Sequence, residues 1–342
     1  MKAASGCPGS ALLDVRGLHV AFPTPAGVVR AVNDVSFTVR RGERVGIVGE
    51  SGAGKSVVAL AIMRLLPQPP AQVSGRILFD GTDLLSLGRK AMRRVRGARI
   101  AMVFQDPVTC LSPRLTVGDQ IVEAIRAHRD VSPRGARDRA LELLASVGIP
   151  EPGRWADQYP HRLSGGMAQR VMIAMAVSCD PDLIIADEPT TALDVTIEAQ
   201  IIDLLVSLCE SRGAAVVLIT HDLALMARFA DRVMVMYAGG VVERADVDTI
   251  YEGATHPYTW GLMQSLARPD QPRGRLSTIR GTPPSALALP SGCPFHPRCP
   301  YVEDICRREV PALTVRAEDD HDSACHFAGR LPRPQPLRQV RR

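Results

Sequence analysis

Residues 49–56 read Gly-Glu-Ser-Gly-Ala-Gly-Lys-Ser, a G-x-x-x-x-G-K-[ST] stretch. Apolar residues precede it at 45–48 and follow it at 57–63, which predicts a buried strand before this loop and a helix after it. Glycines at such a junction let backbone N–H groups approach phosphate oxygens, and the helix N-terminus adds partial positive charge. We therefore predict a phosphate-binding loop; the alternative is a glycine-rich turn without a ligand.

The loop combines a backbone cradle with two side chains of distinct chemistry. Lys55 is expected to reach the β- and γ-phosphates of a nucleotide, and Ser56 is expected to ligate Mg²⁺. The cradle itself consists of Gly49, Glu50, Ser51, Gly52, Ala53 and Gly54. Phe22 lies upstream at the end of a predicted strand, where its ring would either stack on adenine or pack into the core.

Two later apolar runs, 183–186 and 215–219, predict strands that end in chemically active side chains. Ligands of open α/β sheets bind at the carboxyl ends of the strands. Asp187 would hold Mg²⁺ and Glu188 would polarise an attacking water, unless the two acids form only a solvated turn. His221 follows the second strand, where it could contact a γ-phosphate.

Helical periodicity from about 115 to 179 predicts an insertion that separates Gln105 from the next strand. Ser164, Gly165 and Gly166 open a helix near the end of this region. Free N–H groups at a helix N-terminus can bind an anion, so this helix is either a second anion site or simply well capped. Before the loop, residues 12–20, 28–32 and 35–39 alternate in polarity and predict a small antiparallel β layer.

Composition is that of an ordinary globular protein: 342 residues, 46% of them apolar, and a net charge of +5. No apolar run approaches the roughly 18 residues of a membrane span, and residues 1–13 do not resemble a signal peptide. These features predict a cytoplasmic protein. The last residues, 329–342, alternate Pro and Arg without an acid and predict a disordered basic tail.

The motifs together resemble the ATP-binding subunits of ABC transporters. The matching motifs are the Walker A loop at 49–56, the Q-loop at Gln105, the signature sequence at 163–167, the Walker B strand at 183–188, the D-loop at 192–194 and the switch histidine His221. The resemblance implies an α/β fold, with a P-loop (RecA-like) ATPase core, an antiparallel β layer and a helical subdomain at about 107–180. It places this ATPase domain at 12–255 and a small Cys-rich extension at 256–328.

The same resemblance implies an ATP hydrolase in which Gln105, Glu188 and His221 are catalytic and Ser56, Gln105 and Asp187 hold Mg²⁺. ATP would lie between two subunits, so Ser164, Gly165, Gly166 and Asp194 would face the nucleotide of a second, homologous ATPase. Two transmembrane permease subunits and an extracytoplasmic substrate-binding protein would complete a transporter. This chain would lie on the cytoplasmic face of the inner membrane, and no nucleic acid is expected as a partner.

The cargo is suggested by a narrower resemblance to oligopeptide and dipeptide importers. It rests on the stretches 104–107, 111–114 and 256–259 and on residues 281–300 of the extension. An importer of nickel or another small solute remains an alternative, because other subunits choose the substrate. A non-transport ABC ATPase is the more distant alternative, since this chain has one cassette and no long heptad run.

Half of the eight cysteines are concentrated in the extension, with the spacing C-x5-C-x6-C-x18-C. They are Cys293, Cys299, Cys306 and Cys325. A reducing cytosol disfavours disulfides, and the paired C-x2-C knuckles of structural zinc sites are absent from the sequence. Four thiolates predict a [4Fe–4S] cluster, as associated with similar extensions in peptide importers, and zinc is the alternative.

Overall fold

The computed structural model describes residues 11–191, 193–265, 279–316 and 320–332. These residues form two compact units. The first unit comprises Val39–Arg44 and Asp83–Ile219, together with the described residues before Leu13. The second comprises Leu13–Thr38, Val45–Thr82 and the described part of Thr220–Arg342. Most of the predicted basic tail, 333–342, lies outside the described residues.

The described residues contain both strands and helices. The strands are β1 (Ala11–Thr24), β2 (Gly27–Arg40), β3 (Arg44–Val48), β4 (Gln72–Phe79), β5 (Thr82–Asp83), β6 (Ile100–Val103), β7 (Leu183–Asp187), β8 (Ala215–Thr220), β9 (Arg232–Tyr237), β10 (Gly240–Asp246), β11 (Thr314–Arg316) and β12 (His321–Ser323). The helices are α1 (Lys55–Ile62), α2 (Arg89–Val95), α3 (Pro107–Cys110), α4 (Val117–Arg126), α5 (Pro133–Ser146), α6 (Pro152–Ala156), α7 (Gly165–Ala176), α8 (Val195–Arg212), α9 (Leu223–Phe229), α10 (Val247–Gly253), α11 (Pro257–Gln264) and α12 (Asp304–Arg308).

The second unit contains the predicted antiparallel layer. Strand β1 lies between β2 and β4 and pairs antiparallel with β4, from Leu13 opposite Phe79 to Ala21 opposite Gln72. The sequence pattern predicted two strands over 28–39, whereas the structure has the single strand β2 there. Asp34, at a φ of 51°, takes the left-handed conformation within this strand. This local change of backbone conformation explains why the alternation of polar and apolar residues is interrupted near Asp34 although β2 continues.

The second unit also contains the strand that leads into the phosphate loop. Strand β3 pairs in parallel with β9, from Val45 opposite Arg232 to Val48 opposite Val235. Strand β10 pairs antiparallel with β9 on one side and with β12 on the other. In β3, Ile47 and Val48 are fully buried, as expected for a strand covered on both faces.

The first unit combines parallel strands with a group of helices. Strand β7 pairs in parallel with β6 and with β8, and all five of its residues are buried. Helix α4 is capped by Thr116 and buries Val117, Ile121 and Ile125 on one face. Helix α5 begins with Pro133 and buries Leu143 and Leu144. The apolar spacing of three and four residues thus places one buried face on each helix.

The predicted α/β fold with an antiparallel layer is confirmed, and the strands outside that layer form both parallel and antiparallel pairs. Among the described residues, no helix combines the length and the apolar composition that crossing a membrane requires.

Candidate nucleotide-binding site

The loop 49–54 joins β3 to α1 and depends on glycine at two positions. Gly54 is the N-cap of α1 with a φ of 97°, and a Cβ added there would lie 2.4 Å from the carbonyl oxygen of Ala31. At Gly49, an added Cβ would lie 2.2 Å from the carbonyl oxygen of Met236. No side chain can be accommodated at either position without moving the backbone. The loop can therefore present its N–H groups at close range, as a phosphate requires.

Lys55 is held against the same loop. Its side-chain nitrogen donates to the carbonyl oxygens of Gly49, at 2.8 Å, and Glu50, at 3.0 Å. The residue is buried, with 4% of its surface exposed. The buried ammonium group places a positive charge beside the loop, where little water screens it. This arrangement suits a polyanionic ligand.

Glu50, the second residue of the loop, is held by residues far along the chain. The Arg298 guanidinium binds its carboxylate through both nitrogens, at 2.6 Å and 3.0 Å. The hydroxyl of Tyr258 accepts a hydrogen bond from the Glu50 backbone N–H at 2.8 Å. Arg298 and Tyr258 were not predicted to contact the loop, although both lie in stretches that resemble peptide importers. Nothing in the local pattern connects either residue to the loop.

In the first unit, the structure brings together two of the predicted catalytic residues. The Gln105 side-chain amide donates to a carboxylate oxygen of Glu188 at 3.3 Å. The Thr191 hydroxyl donates to the same oxygen at 3.0 Å. Asp187, the last residue of β7, is buried with 7% exposure. The strand therefore ends in a buried acid followed by an acid that neighbouring side chains orient.

The predicted signature helix and the loop before α8 lie against each other in the same unit. The Ser164 hydroxyl caps α7 by accepting from the N–H of Met167 at 3.3 Å. Asp194 caps α8 by accepting from the N–H of Ile197 at 2.9 Å. A Cβ added to Gly166 would lie 2.9 Å from a methyl group of Ile197, and one added to Gly165 would lie 3.5 Å from Leu193. Ser164 therefore caps α7, as one of the two interpretations of this helix predicted. Anion binding at its N-terminus stays a prediction.

Three other predicted site residues are Ser56, His221 and Phe22. Ser56 is the second residue of α1 and is half-buried. His221 is exposed directly after β8, and Phe22 is half-buried in β1. Phe22, Lys55 and His221 belong to the second unit, whereas the other unit contains Gln105, Ser164, Gly165, Gly166, Asp187, Glu188 and Asp194.

Two family models match the chain. A model described as "ABC transporter" matches residues 32–191, and one described as "Oligopeptide/dipeptide transporter, C-terminal region" matches residues 242–306. The dipeptide transport ATP-binding protein DppD of Escherichia coli (strain K12) is 51% identical over 317 residues, which cover 93% of this chain and 97% of the relative. This chain belongs to the ATP-binding subunits of ABC-type oligopeptide and dipeptide transporters.

A second relative of this ABC ATPase and a solved structure support the same family assignment. DppD of Bacillus subtilis (strain 168) is 51% identical over 92% of this chain and 94% of its own length. A solved dimeric ATP-binding cassette in a post-hydrolysis state, bound to ADP and Pi, has a TM-score of 0.62 and 32% identity, and the match covers 69% of this chain and 98% of that one. The predicted family, fold and ATP hydrolase activity are therefore confirmed, and ATP is the nucleotide that the protein binds and hydrolyses.

The comparisons and the structure contradict the predicted iron–sulfur cluster of the ABC ATPase. Its relatives are named only as ATP-binding proteins of transporters. Among the residues that the structure describes, no group of three or more His, Cys, Asp or Glu side chains is arranged to hold a metal ion, zinc included.

The four cysteines, Cys293, Cys299, Cys306 and Cys325, nevertheless line one small cavity together with aromatic side chains. Burial raises the pKa of Cys293 and that of Cys299 to about 11, so both thiols are neutral at pH 7. Cys306 is buried and the other three cysteines are half-buried, and neutral thiols in such positions pack as small apolar groups.

Proposed function

We propose that this ABC ATPase hydrolyses ATP to power the import of peptides through a membrane transporter. The observation that carries the proposal is the 51% identity, over 93% of the chain, to a protein named as a dipeptide transport ATP-binding protein. The match of residues 242–306 to the C-terminal region of oligopeptide and dipeptide transporters adds support outside the cassette. No feature of the described residues favours nickel or another small solute.

Within this function, the phosphate loop binds the triphosphate of ATP. Its cradle, 49–54, supplies N–H groups, and Lys55 supplies a positive charge to the β- and γ-phosphates. Phe22 stacks on the adenine ring, and His221 contacts the γ-phosphate. The buried, carbonyl-bound position of Lys55 supports its assignment.

Glu188 acts on the attacking water. Its carboxylate accepts a hydrogen bond from that water and increases its nucleophilicity, while Gln105 and Thr191 hold the carboxylate in place. Ser56, Gln105 and Asp187 are the residues that would hold Mg²⁺, which supplies neutralisation of charge on the phosphates.

A second, homologous ATPase subunit completes the site. Ser164, Gly165, Gly166 and Asp194 face the ATP bound by that second subunit. The dimeric cassette to which this chain is similar supports a dimeric arrangement. Two transmembrane permease subunits and an extracytoplasmic substrate-binding protein are the remaining partners, and the ATPase lies peripherally on the cytoplasmic face of the inner membrane. We assign the ATPase domain to 12–255, with its helical subdomain at about 107–180, and the extension to 256–328.

The proposal is tested by uptake into vesicles. The chain is assembled with the permease subunits and the binding protein of its own transporter, and entry of a labelled dipeptide is measured with and without ATP. We expect ATP-dependent uptake that the Glu188→Gln variant abolishes. ATP-dependent uptake of Ni²⁺ in the same vesicles, without peptide uptake, would overturn the peptide assignment.

A further inference from the structure

An acidic residue in a phosphate-binding loop presents an electrostatic problem. ATP carries several negative charges, and a carboxylate close to them would repel them. Glu50 belongs to the loop and directly follows Gly49, one of the glycines of the cradle. Left unpaired, its carboxylate could also turn toward the N–H groups of the loop and compete with phosphate for them.

Arg298 of the C-terminal extension binds this carboxylate in a bidentate pair. The two nitrogen–oxygen distances are 2.6 Å and 3.0 Å, and the side chain of Arg298 is only 4% exposed, against 26% for Glu50. A bidentate guanidinium–carboxylate pair fixes orientation as well as charge. Glu50 is therefore neutralised and its carboxylate is held in one direction.

The guanidinium is itself fixed in place. Its Nε donates to the carbonyl oxygen of Arg280 at 3.0 Å, and a terminal nitrogen donates to that of Ile279 at 3.4 Å. The guanidinium carbon also lies 5.8 Å from the centre of the Tyr237 ring, within the range of a cation–π contact. Arg298 is thus positioned by the extension before any nucleotide arrives.

The backbone of Glu50 is held from the same side. Its N–H donates to the hydroxyl of Tyr258, whose ring packs against Phe295 with 5.4 Å between centres. Tyr258 and Phe295 are almost fully buried. All of these residues belong to the second unit, so the contacts lie within one compact body.

We propose that Arg298 is a positioning residue for ATP binding, which acts by neutralising Glu50 and holding its carboxylate away from the phosphate cradle. This inference rests on the proposed role of the loop in binding ATP. It assigns the C-terminal extension a part in nucleotide affinity, in addition to its own packing. Arg298 affects the binding of ATP and not the hydrolysis step itself. Its loss therefore changes ATP affinity more than the rate at which bound ATP is hydrolysed.

The test measures the Kd for ATP in the full chain, with Glu188→Gln present to prevent turnover, and KM and kcat in its absence. Arg298→Gln removes the charge that neutralises Glu50 and the fork that holds its carboxylate, so it is expected to raise Kd and KM by about tenfold or more. The rate kcat is expected to change by less than about threefold. Arg298→Lys keeps the charge without the bidentate fork, and its Kd is expected to rise by about threefold.

A second substitution separates positioning from general damage. Glu50→Gln removes the carboxylate that needs neutralising, so the double variant Glu50→Gln with Arg298→Gln is expected to recover most of the lost affinity. An affinity of the double variant as weak as that of Arg298→Gln would overturn the proposal, and so would an unchanged Kd in Arg298→Gln. If Arg298→Gln does not fold, an unchanged Kd in Arg298→Lys overturns it equally.

Two controls complete the experiment. Arg307→Gln makes the same change in charge at an exposed position of the same extension and is expected to leave Kd unchanged. Lys55→Ala tests the proposed function separately, because it should abolish ATP binding. Normal ATP binding by Lys55→Ala would refute the role of the loop, whereas loss of binding there with normal binding by Arg298→Gln would refute the inference alone.

Discussion

The side-chain amide of Gln105 donates to the Glu188 carboxylate at 3.3 Å, although 83 residues separate them. Glu188 has a φ of 45°, a conformation that costs a non-glycine residue about 1–2 kcal/mol. Its backbone N–H donates to the carbonyl of Ile219 at 2.9 Å, which helps to hold that conformation. The carboxylate is therefore directed by its backbone as well as by its side-chain partners.

Replacing Glu188 with Gln tests its role as the group that polarises water. A neutral amide of the same shape can still accept hydrogen bonds, but it is a poor base. General-base catalysis typically contributes about 10²–10⁴-fold, so kcat is expected to fall by at least about 100-fold. ATP affinity, measured by equilibrium binding, is expected to remain within about threefold of the parent value. Hydrolysis at the parental rate would refute the assignment.

Replacing Gln105 with Ala tests whether it orients Glu188 and helps to hold Mg²⁺. The carboxylate would keep Thr191 as a donor, so we expect a smaller loss, about tenfold in kcat. The Mg²⁺ concentration needed for half-maximal activity is expected to rise. Gln72→Ala, an exposed strand position, is the matched control. An unchanged Mg²⁺ dependence together with an unchanged kcat would contradict both roles.

Replacing Gly54 with Ala tests the geometry of the phosphate loop. The new methyl group would meet the Ala31 carbonyl oxygen at 2.4 Å, in addition to the strain of a φ of 97°. We expect the free energy of unfolding in urea to fall by more than the 1–2 kcal/mol or so of backbone strain alone, with ATP binding lost.

Gly42→Ala provides the comparison for this variant. Gly42 has a φ of 70°, but an added Cβ would meet nothing within 4 Å. Its substitution should therefore cost only the backbone strain, about 1–2 kcal/mol, and leave ATP affinity unchanged. Equal stability losses in the two variants would show that the contact with Ala31 is unimportant.

The extension contains a buried histidine that makes stability depend on pH. Burial lowers the pKa of His256 to about 4, although the charge of Glu243 opposes this effect. The folded protein thus binds fewer protons than the unfolded chain between pH 6.5 and 4. The stability that His256 contributes is complete above pH 6.5 and is lost as the pH falls toward 4.

This dependence can be measured as the change in the free energy of unfolding between pH 7.5 and pH 5. Linkage predicts a loss of about 2 kcal/mol from His256 over this interval. Burial tends to raise the pKa of Glu243, but hydrogen bonds, first that from His321, lower it, so this carboxylate stays ionised in the interval. His256→Asn keeps a side chain able to cap α11 and removes the titration. Equal losses in the parent and the variant would contradict the prediction.

Much of the site follows from short-range sequence signals. The glycine pattern and Lys55 specify a loop between a strand and a helix, because glycine is needed where the backbone turns tightly and approaches a ligand. The apolar run before Asp187 specifies a buried strand that ends in acids. These features are local, so a window of some ten residues contains the physical information that determines them. The cysteine pattern, in contrast, was misinterpreted, since spacing alone does not distinguish ligands from buried packing groups.

Other features required the folded chain. The break in alternation near Asp34 lies within one strand, because pairing with neighbours stabilises a strand across a local twist. Arg298 and Glu50 are 248 residues apart, and the sequence near either one carries no sign of the other. Motifs and their order were readable from the residues themselves, because each depends on local backbone chemistry. The pairing of the extension with the phosphate loop arises from long-range packing, which brings a buried guanidinium to the one acid of the cradle.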